Sequence, residues 1–381
     1  MERDRKGLMA PDMIVFFSSA LFFMVMWFLP LLFVDIGLSG VQIGILLSVY
    51  MFVSLFSSFP IGVINDRFSI REVIFAGLIL SSLFMFGFSV LKGFWFFMLY
   101  YAMGGLGHNM VNTSLRSLIY KLSRRRSEDM NLGVFQFFMS FGASIGYIVG
   151  GFLIFILDFD LTLIIGSLLI FILSFLSFLV PKVDIRKFSF WEYKHSLLKK
   201  SVFLLLFPVF LFGTHWGAEQ TSYSLFLRNF LGLDIFYSGL YMGFSLMAMA
   251  IGGIYAGKHI NKTRYPKKLF LLGILMSGVF SILMANPNLY LSFLSRFLHE
   301  IGDGLMMVSY YIILADIFDK KIIAGESSIA YMALVLGAIV GAPIYGHIGF
   351  VYGYHFPFII SGFVSLFSLM IIMARQKLIK F

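Results

Sequence analysis

Long apolar runs alternate with short polar interruptions along this chain. Each run holds about 20 residues or more with few charges, enough for a helix to cross a hydrocarbon core of about 30 Å. The runs are too long and too continuous for barrel strands. They predict twelve spans, near 12–34, 41–63, 72–91, 94–119, 131–157, 160–180, 201–226, 236–258, 267–285, 289–315, 326–349 and 353–374. Most connections are short. The longest, 181–200, is basic and carries Phe188, Phe190, Trp191 and Tyr193. That composition suits an amphipathic helix on an anionic leaflet. It divides the chain into 1–180, a linker of 181–200, and 201–381.

Composition agrees with the pattern. Hydrophobic residues make up 60% of the chain and charged ones 13%, about half the charge of a soluble domain. The 36 glycines suit helices that cross closely in lipid. Residues 1–11 are polar, the first apolar run is full length and no cleavage-type site ends it, so a removed signal peptide is not expected. With no cysteine, disulfides, thiolate metal sites and cysteine nucleophiles are excluded.

The net charge of +10 follows loop topology. With the N-terminus in the cytoplasm, 25 of the 29 Lys and Arg residues fall on the cytoplasmic side, the expected bias. Only Lys92 and Arg228 lie near outer loops, and Arg116 and Arg296 lie inside spans. An even number of spans and two cytoplasmic termini follow. Spread over seven flanking segments, the charge needs no nucleic acid to explain it.

The two halves repeat at an offset of 195 residues. Gly37, Gly44, Gly62, Gly107, Gly142, Gly146 and Gly151 pair with Gly232, Gly239, Gly257, Gly302, Gly337, Gly341 and Gly346, where chance would match about two. Six spans per repeat return the chain to the same side, so the repeats are parallel.

Three stretches then resemble a known family. Gly62-x-x-x-Asp66-Arg67-x-x-x-Arg71 resembles the loop between helices 2 and 3 of the major facilitator superfamily. There Gly62 permits a close approach. Asp66 and Arg67 can pair with each other or with helix ends. The resemblance implies that Asp66 meets the start of span 11 near Gly325, Glu326 and Ser327, while Arg67 and Arg71 reach Glu128 or Asp129. The symmetry mate, Asn261, would face the region of Asn131 without a charge. In span 5, Gly142-x-x-x-Gly146-Tyr147-x-x-Gly150-Gly151 is similar to the family's glycine-rich signature, expected to pack across the interface between halves. Its usual proline is replaced by Tyr147, which counts against the antiport linked to that signature. Span 10, with Arg296-x-x-His299-Glu300-x-Gly302-x-Gly304, resembles a signature that the family carries in helix 4. The resemblance implies an all-α, polytopic membrane protein of twelve transmembrane helices in two pseudo-symmetric six-helix bundles. It also implies a central cavity lined by helices 1, 4, 7 and 10.

Ionisable residues inside the spans are the candidate chemistry, since each costs about 2.5–3.5 kcal/mol at mid-depth on insertion scales. Span 4 places His108, Asn112 and Arg116 on one face, bordered by Asn109. Arg116 can snorkel, and His108 and Asn112 can equally be interhelical glue. Span 7 offers His215 and Glu219 at i, i+4, with Trp216, Gln220 and Tyr223 alongside. A carboxylate so far from both ends must be protonated or paired, with His215 or with a base on another helix. Span 10 adds the i, i+4 pairs Arg296–Glu300 and His299–Asp303. Groups that can change charge at mid-membrane suit proton coupling.

The expectation is a secondary transporter that moves a small organic solute by alternating access, with protons as coupling ion. The rivals are an efflux antiporter of the same fold, or a lipid-handling protein or membrane enzyme using the span 10 acids. No Walker sequence, H-E-x-x-H or G-x-S-x-G occurs, so no cofactor, metal or hydrolytic centre is expected. The expected partners are the bilayer, a small-molecule substrate and protons, in a monomer of the plasma membrane.

Overall fold

The computed structural model describes residues 7–122, 128–182, 200–263, 265–317 and 323–375. Most of the linker of 181–200, where an amphipathic helix is expected, lies outside them, as do Arg124 to Arg126. Among the described residues the chain is helical: α1 Met9–Met26, α2 Leu29–Asp35, α3 Gly40–Arg67, α4 Ile70–Val90, α5 Phe94–Leu122, α6 Glu128–Ile156, α7 Phe159–Ser174, α8 Lys200–Asn229, α9 Ile235–Thr263, α10 Pro266–Met284, α11 Leu289–Ile317, α12 Ile323–Tyr352 and α13 Phe356–Arg375.

These are the twelve expected spans, with the first in two pieces. Pro30 explains the break. Its ring clashes with the carbonyl four residues back, which belongs to Met26, and it offers no N–H in return. The helix accordingly stops at Met26 and restarts at Leu29. The sixth span ends in a short 3-10 turn, Phe175–Leu179.

Among the described residues, nine stretches are long and apolar enough to cross a membrane. The three long helices that fall short are α5, α8 and α11. Those three carry nearly all the polar candidates named above, so their lower hydropathy and their candidate chemistry have one origin.

The described chain packs as two compact units. One comprises Met1–Leu32, Val49–Phe188 and Asp234–Gly243, and the other Phe33–Ser48, Ser189–Leu233 and Phe244–Phe381. Inside the first unit α1 lies along α6, and α4 lies against α5 and α7. Inside the second, α8 lies along α12, and α10 against α11 and α13. The two sets of neighbours correspond helix for helix.

The matched glycines carry this correspondence into detail. Gly107 faces the backbone of Gly77, and Gly302 that of Gly273. Gly142 and Gly146 seat on the carbonyls of Phe16 and Ala20, as Gly337 and Gly341 do on those of Phe210 and Thr214. A Cβ at any of these four would overlap backbone, so the packing demands glycine. Gly37 and Gly232 both have positive φ, 87° and 69°.

Two expectations are corrected here. The signature glycines of α6 pack mainly on α1, with Gly150 on the carbonyl of Met24, and only Gly151 meets α9, at Gly239. Their spacing of four matches the i, i+4 ridge of one neighbour, so they form a ladder along a single helix. Among the described residues, Gly62 and its mate Gly257 have no neighbouring atom within 4 Å of an added Cβ. They make no close approach, and helix α3 continues past Gly62 to Arg67.

Proline also shapes the second unit. Pro343 cannot donate to the carbonyl of Ile339, four residues back. The hydroxyl of Ser48 donates to that carbonyl instead, at 2.8 Å.

Candidate functional site

Among the described residues, every buried Asp, Glu, Lys, Arg or His belongs to one cluster between α8 and α11: His215, Glu219, Arg296, His299, Glu300 and Asp303. The local cause is helical spacing. His215 and Glu219 share one face of α8, while Arg296, His299, Glu300 and Asp303 share one face of α11.

The pairing crosses between helices. Arg296 donates through Nη1 to Glu219 Oε1 and through Nη2 to Glu300 Oε1, the latter at 2.5 Å. Its guanidinium carbon lies 4.2 Å from the ring centre of Tyr223, a cation–π contact. The Tyr223 hydroxyl lies 3.1 Å from Ser245 Oγ of α9. Glu219 also meets His299 Nε2 at 2.8 Å. His215 does not pair with Glu219, as spacing alone allowed; its Nε2 lies 3.1 Å from Asp303 Oδ2. Trp216 donates to the same oxygen at 3.4 Å. The i, i+4 pair His299–Asp303 is the looser one, at 3.9 Å.

The oxygen partners determine how many protons the cluster holds. His299 Nδ1 lies 2.8 Å from the Ser277 carbonyl of α10, and its Nε2 faces the Glu219 carboxylate. The carbonyl and the carboxylate are acceptors, and the Ser277 hydroxyl lies 3.4 Å from the same Nδ1. A neutral imidazole carries one N–H, so satisfying both acceptors takes a further proton between ring and carboxyl. His215 repeats the arrangement, with Nδ1 2.5 Å from the Phe212 carbonyl and Nε2 on Asp303. With both extra protons present, Arg296 and two imidazoliums balance three carboxylates. Removing either proton leaves a ring lone pair facing an acceptor, the carboxylate or the carbonyl according to tautomer, and net charge in a buried place, which is costly.

Three buried polar atoms here have no hydrogen-bond partner among the described residues: Arg296 Nε, Asp303 Oδ1 and Gln220 Oε1. Such atoms are rare in folded proteins and mark places where water or a ligand completes the network.

The candidates of α5 are arranged differently. His108 Nε2 lies 2.7 Å from Asn112 Nδ2, and its ring lies 4.4 Å from that of Phe22. Asn109 turns toward α3. Its amide donates to the Ser54 carbonyl at 2.6 Å and to Ser57 and Ser58 at 2.9 and 3.0 Å. Those bonds use its donors, so it acts as a bracket between helices. Arg116 is exposed, with its guanidinium 5.8 Å from the ring centre of Phe135. In the 62–71 stretch, Arg71 Nε donates to the Val180 carbonyl, at the end of the sixth span. The side chains of Asp66, Arg67, Glu128, Asp129, Asn261 and Glu326 lie outside the described residues.

Sequence reasoning missed the backbone carbonyls of Phe212 and Ser277, which orient the two histidines. A backbone acceptor has no signature in a sequence. Ser277 and Ser245 were equally unmarked among many serines.

A helical membrane protein of twelve spans in two internally similar sets, with a buried charged cluster, is the architecture of a secondary transporter. A sequence model of the Major Facilitator Superfamily matches residues 13–265 and 262–377. The chain belongs to that family of membrane transporters.

Among solved structures, a mutant form of the nucleoside transporter NupG has a TM-score of 0.84 at 15% identity, over 97% of this chain and 99% of that one. A bacterial homolog to the human lysosomal transporter Spinster, inward-facing and unoccupied, has a TM-score of 0.82 at 13% identity, over 97% and 96%. These likenesses concern the fold. Among curated relatives, quinolone resistance protein NorA of Staphylococcus aureus (strain Mu50 / ATCC 700699) is 30% identical over 125 residues. That match covers 33% of this chain and 32% of NorA, so the chain spans about a third of the curated relatives it matches.

Proposed function

We propose that the protein is a proton-coupled secondary transporter for a small organic solute, a carrier and not an enzyme. The observation that supports this is the pair of histidines, each lying between a backbone carbonyl and a carboxylate and so each sharing one removable proton. Release of those protons would uncover charge on α8 and α11, and substrate binding or reorganisation of the site must compensate for it. In this reading the protein works by alternating access, and the half 201–381 contributes His215, Trp216, Glu219, Gln220, Tyr223, His299, Glu300 and Asp303 to the solute and proton site. His108, Asn112 and Arg116 form the polar stripe of the other half. The protein sits in the plasma membrane as a monomer with both termini in the cytoplasm, in keeping with the Lys and Arg distribution.

The reported neighbours are a nucleoside transporter and a homolog of a lysosomal transporter, which name no common solute, so the solute class is left to a screen. Purified protein in vesicles, loaded with such a panel, tests the coupling. Solute flux should respond to an imposed pH gradient, and flux indifferent to it would sink the proposal. The name of the staphylococcal relatives favours one second reading, drug efflux by proton antiport. Tyr147, standing where the antiporter signature has proline, speaks against it. Substrate leaving vesicles as protons enter would decide for efflux.

A further inference from the structure

We infer that the cluster between α8 and α11 also binds one divalent transition-metal cation, held by His215 Nε2, His299 Nε2, Glu219 and Asp303. The geometry required is already present. Each imidazole is anchored at Nδ1 by a backbone carbonyl, Phe212 for His215 and Ser277 for His299. That is the supporting contact metal-bound histidines use to fix the ring and present Nε2. Both Nε2 atoms then face carboxylates. The ligand atoms of His215, Glu219 and His299 lie within 4.8 Å of one another. Asp303 Oδ2 lies 3.1 Å from His215 Nε2 and 3.9 Å from His299 Nε2. Bonds of about 2.0–2.2 Å to a four-coordinate ion place its ligands about 3.4 Å apart, inside the span of these separations. A second observation points the same way, since Asp303 Oδ1 is buried with no hydrogen-bond partner among the described residues.

Charge decides the valence. Arg296 is matched by Glu300 on its Nη2 edge and shares Glu219 with the ion through Nη1. The four ligands, two neutral imidazoles and two carboxylates, then carry a charge of minus two. One M²⁺ entering as two protons leave keeps the buried site neutral. Imidazole nitrogen selects zinc, cobalt or iron over magnesium and calcium, which prefer all-oxygen shells. Neither histidine spacing nor an H-E-x-x-H sequence announces the site, because its ligands come from two helices far apart in the chain.

The test uses the full-length protein in detergent, stripped of metal with a chelator. Calorimetry should show one equivalent of Zn²⁺ bound, and Co²⁺ should give the intense visible absorption of a four-coordinate site, lost on adding Zn²⁺. His215→Gln and His299→Gln should each weaken binding by more than the about 10–100-fold that loss of a supporting contact costs. His215→Cys should keep binding and add thiolate-to-cobalt absorption, which is unambiguous because the native chain has no cysteine. Monodisperse elution checks that each variant is folded. A folded wild type that binds no Zn²⁺ overturns the inference. So does binding unchanged in the glutamine variants, which would place the metal on exposed histidines such as His347. If the glutamine variants do not fold, a Co²⁺-loaded His215→Cys protein without thiolate absorption overturns it. No readout involves transport, so metal binding and proton coupling stand or fall separately.

Discussion

Glu219→Gln isolates one of the two shared protons. Glutamine keeps the shape of Glu219. Its amide oxygen can take the place of Oε1, the one atom that both Arg296 and His299 reach, with a neutral His299 ring donating through Nε2 and its Nδ1 left to the Ser277 hydroxyl. The variant should therefore fold. It exchanges charge-assisted hydrogen bonds, worth about 1.5–3 kcal/mol each, for neutral ones of about 0.5–1.5 kcal/mol. Arg296 keeps Glu300 as a full charge partner, so the loss of stability should stay near about 1–3 kcal/mol. The effect on coupling is larger. One pH unit is worth about 1.36 kcal/mol per proton, or tenfold accumulation. Two protons per cycle allow about 100-fold accumulation across one pH unit, and one proton about tenfold. Glu219→Gln should thus lower the plateau about tenfold while substrate still binds. Radiolabelled solute in vesicles, with the membrane potential clamped at zero, measures this plateau. An unchanged plateau would refute the assignment of a coupling proton to Glu219 and His299, leaving the His215–Asp303 pair as the remaining candidate.

Other outcomes test other parts of the structure. Arg296→Met strands Glu300 without its cation and leaves Glu219 with His299 alone, and should cost about 3–5 kcal/mol, read as a lower melting temperature; adding Glu300→Gln should recover part of that loss. Gly146→Ala pushes a methyl group into the carbonyl of Ala20 and should destabilise by about 1–3 kcal/mol. Gly62→Ala, with open space around it, should be neutral or stabilise by about 0.5–1 kcal/mol; equal effects in a thermal melt would contradict the packing described. If the acid of the 62–71 stretch latches onto a helix N-terminus, Asp66→Asn should change labelling of single cysteines on the cytoplasmic side about two- to fivefold, from a contact worth ~0.3–1 kcal/mol. Asn261→Ala should change that labelling less.

Much of the fold could be read along the chain because membrane helices obey a simple length rule and because the repeat leaves matched glycines. The split of the first span was not foreseen, although Pro30 and its effect on Met26 were both in view. Helical spacing likewise revealed which residues of α8 and α11 share a face, and Arg296–Glu300 formed as that spacing allowed. Spacing could not reveal the pairing across helices. His215 reaches Asp303 and Glu219 reaches Arg296 and His299 because the polar faces of α8 and α11 turn toward each other, a relation set by distant packing. Asn109 shows the converse limit. It borders the polar stripe of α5 by position, yet its side chain is committed to serines of α3.

The most direct test of the central claim is the number of protons moved per solute. Vesicles holding the wild-type protein and a trapped pH-sensitive dye would report proton movement when a solute found by the binding screen is added. The account predicts two protons per solute in the wild type, one in either Glu219→Gln or Asp303→Asn, and none in the double variant. Solute transport by the wild type with no accompanying proton movement would contradict it.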